Sequence, residues 1–132
     1  MDPAFRSARI KAIGLWGLTG ILSALFLLAG GLKLRGTPSS VENFSHWGYP
    51  EWFVYTVGGI ELAGAIGLLF PQSAAAASIL LAVMMLGASL THLVHHEMMA
   101  VPIPLVILGL LVVVGRARRG PLLEWYERVF DS

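Results

Sequence analysis

Val57–Phe70 reads VGGIELAGAIGLLF, thirteen apolar or glycine residues around one carboxylate, Glu61. A run of this kind lies inside a membrane or a core. An ionised carboxylate in hydrocarbon costs at least ~2.5 kcal/mol, so Glu61 requires a partner or a task.

The flanking sequence points to a membrane. Of the 132 residues, 56% are hydrophobic and 13% charged, and mean hydropathy is +0.74, which sets the chain apart from soluble domains. Four stretches, Ala12–Leu32, Trp52–Phe70, Ala74–His95 and Met98–Val114, approach the ~20 apolar residues that span a ~30 Å hydrocarbon layer. Amides in lipid must be bonded within the segment or around a closed barrel, and these runs lack strict alternation, which predicts helices. We expect an all-α integral membrane four-helix bundle, a single transmembrane domain over residues 1–132. An interfacial loop or short helix joins the first two spans, and an amphipathic tail occupies 120–131. No polar stretch remains for a soluble catalytic domain, so any chemistry lies between the helices or belongs to a partner.

The formal charge of +1 gives no signal for nucleic acid. Arg6, Arg9 and Lys11 precede the first span, and Arg116, Arg118, Arg119 and Arg128 follow the fourth. Only Lys33 and Arg35 lie between spans, so the positive-inside rule puts both termini in the cytoplasm of an inner-membrane protein. The first run is long for a secretory signal, whose apolar region is ~7–15 residues, and GGLKLRG is a poor cleavage site. The chain has no cysteine, which excludes disulfides, thiol catalysis, cysteine-held zinc and iron–sulfur clusters.

Gly14, Gly17, Gly20 and Ala24 in the first span, and Gly59, Ala63 and Gly67 in the second, form stripes expected to pack helix on helix. The first span is expected to end at Gly30-Gly31, leaving Lys33 and Arg35 at the outer headgroups. The following loop holds Ser39 or Ser40 as a cap for a short helix through Phe44–Trp47. Phe44, Trp47, Tyr49, Trp52, Phe53 and Tyr55 make an interfacial aromatic belt, a lid over the outer end. Ser73 is a candidate cap for the third span, and Pro102 and Pro104 fall near the start of the fourth.

Counting ~1.5 Å per residue from Trp52 puts Glu61 ~13 Å below the outer face. Gly58 and Ala65 share its side of the helix and are expected to leave space around the carboxylate. His92 falls level with Lys33, offset from Glu61 by roughly 8–10 Å. The picture is an outward-opening polar cup with Lys33 and His92 at the rim, Glu61 at the floor, and Trp47 and Trp52 as cover. In the structural alternative, Glu61 ties helices together through Trp16, Thr19, Ser89 or Thr91. Spacing also lets His92 and His96 share one ion, with Met98, Met99 and His46 completing a soft copper site. A two-histidine haem is disfavoured because the first, second and fourth spans contain no histidine; Met84, Met85 and Leu86 read as core.

LLAGGLKL, FSHWGYPEWFVYTVGGIELAGAIGLLFP and LLAVMMLGASLTHL together resemble the DoxX-like family of small four-helix membrane proteins, over roughly Ala24 to His92. That resemblance implies a membrane subunit of the kind associated with thiosulfate:quinone oxidoreductase, or an assembly factor of the kind that serves nicotinic receptors. It carries Lys33 and Glu61 over as the main site positions, with Tyr49, Pro50 and Gly58 shaping the site and His92 a looser match.

The expectation is therefore an inner-membrane protein that binds a quinone or similar small apolar head group. Lys33, Trp47, Tyr49, Trp52, Gly58, Glu61 and His92 would form the site, with Glu61 as proton donor or acceptor. Electrons would come from a protein partner, and the small-residue faces allow a homo-oligomer. A non-catalytic scaffolding subunit and a copper-handling protein are the alternatives.

Overall fold

The computed structural model describes residues 2–131. Among them are six α-helices and no strand: α1 (Pro3–Leu34), α2 (Pro38–His46), α3 (Glu51–Leu68), α4 (Ala74–Val94), α5 (Pro102–Ala117) and α6 (Arg119–Phe130).

α1 starts well before the expected Ala12, because Asp2 accepts from the Ala4 amide at 3.2 Å and a proline opens the first turn. It also runs through Gly30-Gly31, where an end was expected, and on to Leu34. The real stop is Gly36, at φ +63°, whose N–H donates to the Lys33 carbonyl while the Thr37 N–H donates to that of Leu32. One helical turn is thereby added, and Lys33 sits on it.

The other boundaries shift for similar local reasons. α2 begins at Pro38 with Thr37 as N-cap, and neither Ser39 nor Ser40 caps it; Ser40 instead pairs its hydroxyl with that of Thr37 at 2.8 Å. Gly48, at φ +83°, turns the chain into Pro50 and α3. Ser73 makes no cap bond and donates back to the Gly67 carbonyl at 2.8 Å. α5 starts at Pro102 rather than Met98, since the preceding residues form turns and proline suits a first helical position.

α1 packs on α3, α3 on α4, α4 on α5 and α5 back on α1, while α2 rests on α3 and α1. The core draws Leu22 and Phe26 from α1, Ala65 and Leu68 from α3, Leu81 and Met85 from α4, and Leu111 and Val114 from α5. Buried hydroxyls are absorbed by backbone carbonyls: Ser23 on Ala65, Ser78 on Ala74, Ser89 on Val101 and Thr19 on Leu15.

Of the expected stripes only Gly67 holds helices together. A methyl added to Gly14, Gly17, Gly20 or Gly59 would meet nothing within 4 Å, and Ala63 is exposed. The close approach instead joins Gly30 of α1 to Gly58 of α3. A Cβ on Gly58 would lie 2.8 Å from Lys33 Cβ and 2.9 Å from the Gly30 carbonyl oxygen. Gly64 and Gly67 serve α4 likewise, against Leu81 and Ala77. Packing thus selects the glycines by which neighbour they face, which a stripe on one helix does not reveal.

Large apolar side chains also cover the outside, among them Ile21, Leu28, Ile79, Val83, Val94, Ile103 and Val106. Such a surface marks contact with lipid or with other proteins. α1 and α4 are long and apolar enough to cross a membrane, and α5 is a shorter apolar helix.

Gly58→Ala is expected to lower stability by about 1–3 kcal/mol, because the methyl meets backbone and a Cβ that cannot swing away. Gly59→Ala, with open space around it, should be neutral or stabilising by up to ~1 kcal/mol. Thermal unfolding of the two variants in the same detergent checks the contrast.

Candidate functional site

The Gly30–Gly58 contact sets α1 and α3 so close that Lys33 lies across from Gly58, one turn from Glu61. Lys33 Nζ donates to Glu61 Oε2 at 3.0 Å and to Oε1 at 3.3 Å. Glu61 is 4% exposed. This corrects the expected separation of rim lysine and floor carboxylate, which followed from ending α1 too early. Trp16, Thr19, Ser89 and Thr91 are not partners of Glu61: the three hydroxyls donate to carbonyls, and Trp16 lies under the Arg118 guanidinium, 4.6 Å from its ring centroid. Gly58 does not open space beside the carboxylate; α1 fills its face.

The pair borders a cavity of about 370 Å³. Leu25, Phe26, Val57, Met84, Met85 and Ile107 supply apolar wall, and Phe44, Trp47, Tyr49 and Phe53 close the α2 side. Leu25 and Val83 line it and are also 41% and 62% exposed, so it is open on a flank between α1 and α4, whose backbones do not approach each other closely. Met84 and Met85 are therefore wall as well as core.

The polar groups on the wall are few and mostly spent. Two of the three Lys33 ammonium protons serve Glu61, which leaves one for an acceptor in the cavity. Thr91 Oγ1 donates to the Gly87 carbonyl at 2.9 Å, so the 2.8 Å contact between Tyr49 Oη and Thr91 Oγ1 is donated by the tyrosine. The Tyr49 oxygen keeps its lone pairs.

His92 lines the cavity without reaching Glu61. Its Nδ1 donates to Glu97 Oε2 at 2.8 Å, and Trp47 Nε1 donates to both Glu97 oxygens at 3.1 Å. The Trp47 ring stands edge-on to that of His92, centroids 5.3 Å apart. Glu97 thus latches the α2 segment to the end of α4, a role the sequence did not suggest; its only signal was an acid among the histidines beyond α4. The His92 bond, then the Trp47 bond, hold the Glu97 carboxyl below its ordinary 4.5, against a smaller opposing effect of burial.

Two expectations fail here. Trp52 is 65% exposed, packs edge-on against Phe53 and lines no part of the cavity. His92 and His96 do not share a helical face, because α4 ends at Val94 and His96 turns outward at φ +59°. Among the described residues no group of three or more His, Cys, Asp or Glu is placed to hold a metal.

The sequence model of the DoxX-like family matches residues 5–114. The chain belongs to the DoxX-like family. Family members are membrane-associated, in keeping with two helices able to span. The match includes every residue of the DoxX-like chain's cavity and stops short of α6. The chain is 39% identical over 75 residues to the uncharacterized protein YdgD of Bacillus subtilis (strain 168), an alignment covering 53% of this chain and 66% of that one. It therefore spans slightly under two thirds of that relative. No solved structure matches.

A folded-state pKa below the ordinary value means that the Glu97 latch is fully present above pH 4.5 and is lost as pH falls through the lowered value. Glu97→Gln should therefore reduce amide protection across residues 38–49 at neutral pH. Acid below the carboxylate range should bring the unaltered DoxX-like chain to the same low protection. Hydrogen-exchange protection factors, corrected for intrinsic rates, check both.

Proposed function

We propose that this DoxX-like protein spans an inner membrane four times, through α1, α3, α4 and α5, and binds a quinone or similar apolar head group in the Glu61 cavity. Both termini are then cytoplasmic. Basic residues at 6–11 and 116–119 gather at one end of the helices, while Lys33 and Arg35 lie at the other. α3 and α5, with 18 and 16 residues, measure ~27 and ~24 Å, near a hydrocarbon thickness.

One observation carries the ligand reading: the buried Glu61 carboxylate, paired with a half-buried Lys33, stands on the wall of a largely apolar cavity of ligand size. A pair kept only for stability gains little over apolar packing, so its position beside open space favours a binding role. Lys33 offers its remaining N–H to a carbonyl oxygen, and Glu61 exchanges a proton with the ammonium or with that oxygen. Phe26, Phe53, Met84 and Met85 suit the faces of a ring. A bound quinone would supply the two-electron chemistry, with electrons delivered by a protein partner.

A second reading, a scaffolding subunit, is favoured by the unfilled Gly14, Gly17 and Gly20 on α1, which can admit another helix or a second copy.

The full chain, gently solubilised, should retain quinone in near-stoichiometric amount by native mass spectrometry and by chromatography of the extract. Lys33→Met/Glu61→Leu removes both charges and leaves neither buried alone, so the fold should persist while retained quinone falls about tenfold or more. Undiminished quinone in a folded double variant, or no quinone but a stoichiometric protein partner, would favour the scaffold.

A further inference from the structure

The end of the molecule opposite the Glu61 cavity has a second cleft, of about 250 Å³, where α4, α5 and α6 meet. Ile79 and Ala82 of α4 and Leu111 and Val112 of α5 form its apolar walls, and Arg116 and Arg119 line it too. Both arginines are exposed.

Arg116 and Arg119 line this corner with no carboxylate partner: among the described residues the ion pairs are Lys33–Glu61 and His92–Glu97. Arg118, between them in sequence, turns instead to α1, its guanidinium 4.6 Å from the Trp16 ring centroid. The end of α5 welcomes cations, but the start of α6 does not, since a helix N-terminus carries partial positive charge. α6 has no acidic residue in its first turn, and Arg119 occupies that turn instead. An uncompensated cationic corner beside an apolar slot calls for a ligand that is anionic at one end and apolar at the other.

We propose that this cleft binds an anionic phospholipid, with its phosphate between Arg116 and Arg119 and an acyl chain along the wall shared by α4 and α5. The proposal rests on the membrane-spanning reading but not on the quinone. A free phosphate would satisfy the arginines and leave the slot unused. The cleft reaches beyond residue 114, where the family match ends.

Native mass spectrometry of the full chain, offered phosphatidylglycerol and phosphatidylcholine with the same acyl chains, tests it. Phosphatidylglycerol should be retained roughly tenfold more. Arg116→Gln/Arg119→Gln should abolish that preference. Val112→Trp, which leaves every charge in place and fills the slot, should reduce phosphatidylglycerol retention as well. Excess inorganic phosphate should fail to displace the lipid. Equal retention of the two lipids by the unaltered chain overturns the proposal without recourse to any variant, so a misfolded variant does not shield it. Displacement by phosphate, or full retention in the folded arginine variant, overturns it too.

Discussion

The structure depends on the absence of two side chains. Gly30 and Gly58 let α1 and α3 meet backbone to backbone, and a methyl on either would lie under 3.0 Å from the opposite helix. In a molecule whose outside is apolar, close packing of this kind must supply much of the helix–helix attraction, because lipid competes for apolar contact on equal terms. The same approach brings the Lys33 stem against α3 and fixes its ammonium on the Glu61 carboxylate. Geometry comes first and electrostatics second: the ion pair forms because the helices are already close, and it then makes the buried carboxylate tolerable.

From that crossing the site follows in order. α1 and α3 are held together, α4 and α5 form the other tight pair, and space is left where Met84, Met85 and Phe26 fail to close the gap. The α2 segment covers one side of it, tied by Glu97 to His92 and Trp47. Polar groups are confined to the wall near Lys33, Tyr49 and His92, so one side of the cavity is polar and the rest apolar. The arginine-lined cleft at the far end is separate from all of this in residues and in charge.

Much of the fold was legible in the sequence, because length and apolarity of a segment leave few structures other than a helix. The four apolar segments and the short helix after the first of them appear as helices, and the tail is helical too. That Lys33, Glu61, Trp47, Tyr49 and His92 gather in one place was legible too, since a polar residue in apolar surroundings stands out. Their mutual distances were not. The end of α1 was misjudged because Gly30-Gly31 looks like a stop, whereas the helix continues past the contact with Gly58 as far as Leu34. That error of one turn separated Lys33 from its partner. Trp52 was misassigned because an aromatic at an interface has no sequence mark for the side it faces. Glu97 escaped notice because its function arises only when α2 folds back over α4.

The flank of the Glu61 cavity between α1 and α4 decides how a molecule would arrive. In the four-span arrangement proposed above, Leu25 and Val83 would face lipid, and a molecule dissolved in the bilayer would reach Lys33 by lateral diffusion without crossing water. Its effective concentration is then set by its abundance per unit of membrane area, not by its amount in solution. Bulk ionic strength would have little grip on its capture.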